Sequence, residues 1–286
     1  MDIDNINHVG MAVRDLAVTA DRYEAMGFQL TPYSPHSAAW KPGDPVQPLG
    51  SGNRCVMFEN TYLEILASEN PAKQAARIAN FLKHHQGAHI ICFDCKDTDA
   101  VDRRVRGLGY ETSGVIPLQR EIATPEGMRT ARFVRSQFAP KDSPEGYIQA
   151  STHLTPEYIY QPRFIRHPNG CYRLFETILV SDNLPAFEKR YADYLGIKPE
   201  RDGVALRFSL PRGTVLTIID VRGAAAMLPG GLLPPVPGIA AVGFRTRDLV
   251  AARERLESNG FTVIAVGERI LIPAEEASGV AILFGA

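Results

Sequence analysis

Residues 7–28 read NHVGMAVRDLAVTADRYEAMGF, and two later stretches repeat their plan: HIICFDCKDTDAVDRRVRGLGY at 89–110 and AAVGFRTRDLVAARERLESNGF at 240–261. Each runs from an apolar stretch through an Asp into a helical pattern that ends in Gly and an aromatic residue. The Asp-to-Gly interval is 12 residues each time: Asp15 to Gly27, Asp97 to Gly109, Asp248 to Gly260. An Asp accepts the orphan N–H groups at a helix start, and a Gly adopts the left-handed stop at its end. The apolar stretch before each Asp reads as a strand. A fourth, looser copy occupies LFETILVSDNLPAFEKRYADYLGI, 174–197, with its capping region near Asp182.

Working outward, with the units counted in chain order, each copy is followed by further strand-like runs. In the first these are FQLTPYSP, RCVMFEN and TYLEILAS, and in the second YETSGVIPL, RTARFVRS and GYIQASTH. The third continues with ALRFSL and TVLTIID, the fourth with FTVIAV, RILIP and GVAILFGA. The repeating unit is therefore βαβββ, four times over. QPRFIRHPNG, 161–170, separates the second and third units, and the Pro/Gly stretch 228–238 separates the third and fourth. A helix within 70–86 would join the first two. The fold class expected is α+β, with units paired into two domains, 1–160 and 161–286, in keeping with 286 residues at roughly 150 per domain.

Composition removes several function classes. Lys plus Arg total 31 and Asp plus Glu 32, a formal charge of −1, so a nucleic-acid partner is not expected. Residues 223–244 carry no charge, but Pro229, Pro234, Pro235 and Pro237 would break a spanning helix, so the stretch reads as a linker and no membrane partner is expected. MDIDNINHVG has neither the basic start nor the apolar core of a secretory signal, and a cytoplasmic location is expected. Four cysteines make no disulfide scaffold. Cys92 and Cys95 are three apart on a strand and should point to opposite faces, which argues against a metal or redox pair. No phosphate-binding loop, HExxH, GxGxxG after a strand or GxSxG elbow is present.

Paired βαβββ units, NHVGMAVRDL as a first strand, TYLEILAS as a fourth strand bearing a Glu, and THLTPE followed by HPNG resemble the vicinal oxygen chelate superfamily of glyoxalases, bleomycin-resistance proteins and extradiol dioxygenases, and within it the glyoxalase-like domain proteins. The resemblance implies two units curving into one cup, a divalent metal ion (Zn, Fe, Mn, Ni or Mg) inside it, and a small-molecule substrate that chelates through neighbouring oxygens.

The first cup holds the candidate ligands. His8 lies seven residues before Asp15 on the first strand. Its rival role is a half-buried histidine near the chain end. Glu64 sits among apolar neighbours, where an unpaired carboxylate costs several kcal/mol unless a cation compensates it. A second role as catalytic base is open to it, and a surface position or a salt bridge is its alternative. In the second unit the position matching His8 is Ile90, so His89 is a ligand only if a bulge flips it. Gln149 matches Glu64, and Gln149, Ser151 and His153 share a face by alternation. His153 is taken as the third ligand, its rival being a capping role in the following loop. His8, Glu64 and His153 would leave positions open for water or substrate.

Candidate substrate contacts are His36 and Trp40 in the loop TPYSPHSAAWKPG, His167 in HPNG, and Arg173. Arg54 and Arg132 also alternate with apolar residues. Units three and four put Phe175 or Glu176, and Ala241, where His8 stands in the first, and read as a metal-free partner domain.

These residues point to a metal-dependent enzyme of lyase or isomerase type that polarises a substrate oxygen. The alternatives are a metal-free protein that sequesters an aromatic or antibiotic ligand, and an extradiol-type dioxygenase. A homodimer through a sheet edge stays open.

Overall fold

The computed structural model describes residues 2–38, 44–70 and 75–286. The first unit contains β1 (Ile3–Ala12), α1 (Leu16–Ala25), β2 (Ser34–Ala38), β3 (Gln47–Met57) and β4 (Tyr62–Ser68), and α2 (Ala76–His84) leads onward. The second contains β5 (Gly87–Cys95), α3 (Thr98–Gly107), β6 (Ile116–Thr124), β7 (Gly127–Gln137) and β8 (Tyr147–His153). A short α4 (Pro156–Ile159) begins the crossing to the third unit: β9 (Cys171–Ser181), α5 (Leu184–Leu195), β10 (Glu200–Asp202), β11 (Ala205–Ser209) and β12 (Val215–Asp220). After α6 (Ala224–Met227) the fourth unit has β13 (Gly238–Thr246), α7 (Leu249–Ser258), β14 (Ile264–Val266), β15 (Arg269–Ile272) and β16 (Ala281–Gly285). The stretch read as linker thus ends earlier than expected, since β13 already begins at Gly238.

The repeated helix starts and stops are built as their sequence requires. Asp15, Asp97 and Asp248 accept from the backbone N–H groups of Val18, Ala100 and Ala251. Gly27, Gly109 and Gly260 hold φ of 87°, 90° and 80°, the left-handed region where only Gly is unstrained. In the third unit the cap is Asn183, one residue beyond the expected Asp182, and Gly196 closes the helix with φ 68°.

Every unit has one internal order. Its first strand pairs in parallel with its fourth, and the fourth, third and second follow antiparallel. Units then join through their first strands, β1 to β5 and β9 to β13, both antiparallel. The first pair closes into an eight-stranded barrel, because β2 also reaches β6 through Ser37–Gln119 and Ala38–Leu118. The second pair is an eight-stranded open sheet.

The main core lies between the two sheets and takes in α1, α3, α5 and α7. Phe28 of the first unit stacks on Phe284 and packs against Phe244, while Tyr194 packs on Phe93 and Phe138. Outward-facing residues of β1 (Val9, Met11) belong to this core. Alternation then turns His8, Gly10 and Ala12 into the barrel lumen. One end of that lumen is plugged by Ile78, Phe81 and Leu82 of α2 against Ala12, Leu66 and Ile90. The other is covered by Ile159 and its neighbours against Met57, Tyr62 and Phe133. Between two apolar plugs the lumen is polar.

Candidate metal centre in the first barrel

The polar middle is organised around Glu64 of β4. Its neighbour on β1 is His8, whose Nε2 lies 3.8 Å from Oε2, and the Nε2 of His36 on β2 lies 3.5 Å from Oε1. Side-chain exposures of 9%, 11% and 11% for His8, Glu64 and His36 place all three away from bulk water. Asn53 of β3 donates from Nδ2 to Oε1 in a short hydrogen bond. Four consecutive strands of the barrel, β1, β4, β3 and β2, therefore deliver His8, Glu64, Asn53 and His36 to one point.

Each imidazole is held from behind. His8 Nδ1 is 2.8 Å from Asn7 Oδ1, and the same amide donates from Nδ2 to Tyr160 OH at 2.8 Å. With the amide nitrogen committed to Tyr160, Oδ1 accepts from His8, so His8 carries its proton on Nδ1 and turns its Nε2 lone pair toward the carboxylate. The His8 ring stacks on Tyr62 at 4.4 Å. His36 Nδ1 is 3.2 Å from Ser51 Oγ. A hydroxyl both donates and accepts, so His36 keeps this partner in either tautomer.

Charge follows from burial. Desolvation pulls His8 down to about 4 and also lowers His36, so both rings are neutral near pH 7. Burial alone would raise Glu64, but its hydrogen bond with His36, the two imidazoles beside it and the Arg120 guanidinium hold it well below the ordinary carboxylate range. An anionic carboxylate oxygen thus faces a lone pair of neutral His8. Two acceptors pointed at each other are unfavourable unless a cation or proton sits between them.

That polarity, two imidazole nitrogens and one carboxylate, suits Zn, Fe, Mn or Ni. The gap of 3.5 Å at His36 is close to, and that of 3.8 Å at His8 wider than, the roughly 3.4 Å expected between two ligands on a tetrahedral ion at about 2.1 Å. Among the described residues no three His, Cys, Asp or Glu side chains form a ready cage. The donor types fit a divalent cation, and Glu64, now engaged by Asn53 and His36, must turn for it to enter.

The other expected site residues fall in different places. His153 is set one residue back: its Nδ1 lies 3.3 Å from Asn7 Nδ2, so it meets His8 only through Asn7. His36, expected as a substrate contact, occupies the place expected of His153. His89 is not brought to the cluster. Its Nε2 is 2.9 Å from the His85 carbonyl and its ring stacks on Phe81, beside α2. Gln149 pairs with Cys92 across β5 and β8, with Oε1 buried and unpartnered. His167 lies outside the lumen, between Phe28 and Phe58 in the crossing segment. It accepts from the Gln29 N–H at 3.0 Å and reaches the Met57 carbonyl at 2.9 Å, which leaves no ring nitrogen for a substrate. Arg173 of β9 faces the β3–β4 turn from outside the lumen, lining a cavity of about 170 Å³ with Phe58, Glu59, Asn60 and Tyr172. Trp40 lies outside the described residues.

Sequence reasoning missed Asn7, Asn53 and three arginines. Arg120 of β6 shares the lumen face with Leu118 and Ile122, and Arg135 of β7 with Ala131 and Phe133. Arg77 comes from α2. The signal was the phase of alternation, since Arg132 is exposed and Arg54 bonds Thr31 and Glu24 outside the barrel.

The comparisons bear on the family and the fold. The profile of a family described as "Glyoxalase-like domain" matches residues 6–195. No curated protein matches the chain. A hypothetical protein from Staphylococcus aureus shares the fold with a TM-score of 0.61 at 14% identity, over 98% of both chains. A variant of 4-hydroxymandelate synthase from Streptomyces coelicolor gives 0.61 at 12% identity, over 99% of this chain and 92% of that one. A xylose isomerase-like TIM barrel/4-hydroxyphenylpyruvate dioxygenase fusion protein gives 0.60 at 12%, and this chain spans 99% of itself but about half (49%) of that protein. Among the described residues no helix is long and apolar enough to cross a membrane.

Proposed function

The chain belongs to the glyoxalase-like domain family, and on that footing we propose that its first barrel is a metal-dependent active site for a small molecule bound through two adjacent oxygens. The observation that carries this reading is the convergence of His8 and His36 Nε2 on the two oxygens of Glu64, with the His8 lone pair facing a carboxylate. His8, His36 and Glu64 would hold the cation, which would supply Lewis-acid stabilisation of negative charge on a substrate oxygen. Asn7 fixes the tautomer of His8, and Ser51 keeps His36 oriented through a change of tautomer. Glu64, anionic and within reach of a bound substrate, is the group to hold or move a proton. Arg120, whose charge acts on His8, His36 and Glu64 alike, favours negative charge at that point.

Proton transfer of lyase or isomerase type is the first reading. Two imidazoles and a carboxylate also make the ligand set of non-haem iron oxygenases, so oxygen chemistry is the second. The 4-hydroxymandelate synthase and 4-hydroxyphenylpyruvate dioxygenase neighbours share only the fold at 12% identity, and they do not choose between the two.

The test is elemental analysis after incubation with Fe(II), Mn(II), Ni(II) and Zn(II), followed by desalting. The parent is expected to retain about one ion per chain, His8→Ala and His36→Ala little, and His153→Ala about as much as the parent. Loss in His153→Ala with retention in His36→Ala would restore the His8, Glu64 and His153 set. An empty parent in all four metals would replace the enzyme with a metal-free ligand-sequestering protein.

A further inference from the structure

The lumen that holds Glu64 also holds three guanidinium groups without a carboxylate to match them. Arg77, Arg120 and Arg135 form no ion pair with an Asp or Glu among the described residues, although twelve other residues of this chain, from Arg54 to Arg269, do so elsewhere. The Nε atoms of Arg77 and Arg120 are buried with no hydrogen-bond partner. Arg77 and Arg135 both lie over the ring of Tyr147, at 5.6 and 5.4 Å, and Arg120 lies over Phe133 at 5.6 Å. Aromatic faces and neutral partners, Gln137 Oε1 at 3.3 Å from Arg135 among them, stand where carboxylates would be expected.

The three arginines are half-buried, and Glu64, the carboxylate of this lumen, is in direct contact with none of them. Holding a cation part-way out of water without an anionic partner is unfavourable, and a fold that keeps three such groups together does so for a ligand more readily than for stability. Arginine also presents a planar fork that matches a carboxylate with two parallel hydrogen bonds. Arg120 and Arg135 come from β6 and β7, across the barrel from β1 and β4, and Arg77 comes from α2 at the closed end, where it joins Arg135 over Tyr147 of β8.

We infer that the first barrel takes a small dicarboxylic acid, with Arg77, Arg120 and Arg135 receiving its carboxylates. This names the substrate class of the site proposed above and rests on the lumen being the binding site. It does not depend on the metal. Gln149, whose buried Oε1 lacks a partner, is placed on β8 to accept from a hydroxyl of the same ligand.

The experiment is calorimetric titration with malonate, succinate and glutarate, with butyrate as the monoanion and inorganic phosphate as the other common arginine ligand. It is run on parent protein both metal-loaded and stripped. At least one dicarboxylate is expected to bind tenfold or more tightly than butyrate. Arg77→Gln and Arg135→Gln are each expected to weaken it about tenfold, with metal content unchanged. Equal affinity for dicarboxylate and butyrate, no binding of any dicarboxylate, or tight phosphate with weak dicarboxylate would overturn the inference, and those comparisons need only the parent protein. So would retained affinity in both variants. If stripped protein and His8→Ala still bind the dicarboxylate in an arginine-dependent way while no metal is retained, the inference stands and the metal reading falls. If metal is retained but the arginine variants bind as the parent does, the reverse holds.

Discussion

Replacing His167 separates a structural histidine from a substrate contact. The ring is buried between Phe28 and Phe58, accepts from the Gln29 N–H and reaches the Met57 carbonyl. Burial pulls it from the ordinary 6.5 down to about 4. The folded protein therefore binds fewer protons than the unfolded chain between those values. The stability that neutral His167 contributes is complete above about pH 6.5 and is lost as the pH falls toward 4. At about 1.4 kcal/mol per pH unit, the loss by pH 5 is about 2 kcal/mol, and about 3 by pH 4. The physical cause is specific: a proton on Nδ1 ends its bond from Gln29 and leaves that N–H unpaired. His167→Gln removes the titration while retaining a polar side chain. Urea unfolding of parent and variant at pH 7.5 and pH 5.0 isolates the effect, because the other histidines titrate in both. The parent is expected to lose about 2 kcal/mol more than the variant over that interval, and succinate affinity should be the same in both. An equal loss would refute the reasoning. A variant that folds normally but no longer binds ligand would return His167 to the substrate site.

Glu176→Gln should destabilise the protein by about 3 kcal/mol in urea, because it strips the partner from Arg207 and Arg269, while metal retention in the first barrel is unchanged. Asn7→Ala frees the His8 ring and should lower metal affinity 10- to 100-fold in a chelator competition, with ligand atoms intact. Asp248→Ala removes a helix cap and should cost about 1 kcal/mol, seen as a fall of about 2–4 °C in the thermal midpoint. Arg132→Gln, exposed and one residue out of phase with Arg135, should leave succinate affinity unchanged.

The architecture was legible because its markers are local. An Asp cap and a left-handed Gly depend only on the turn they sit in, and their fixed interval exposes the repeat whatever the sheets do. His8 and Glu64 were legible for a related reason, since strand alternation assigns a face once a unit is recognised. His36 was not. Its place depends on β2 folding back over β3 and reaching β6, a contact set by two residue pairs far apart in sequence. His153 has the right face, but Asn7 stands between it and His8. The arginines were misjudged through phase. Arg54 and Arg132 alternate with apolar residues as Arg120 and Arg135 do, and only the partner strand shows which side is the lumen.

The second sheet shows what the same topological place becomes without the histidines. With the helix cap set at Asn183, Glu176 stands seven residues before it, as His8 stands before Asp15. The strand register agrees. His8 pairs with Tyr62 and Glu64 follows two residues on, while Glu176 pairs with Val215 and Thr217 follows two residues on. Glu176 thus occupies the His8 position and Thr217 the Glu64 position. Thr217 Oγ1 donates to Glu176, which also binds Arg207 and Arg269 and is fully buried. The carboxylate has moved to the neighbouring strand and taken its cations from within the chain. A cation arriving from solvent would have to displace two guanidinium groups. In the first barrel the corresponding carboxylate has no internal cation in direct contact. Its partners are an amide and neutral imidazoles, so charge from outside is what that site lacks.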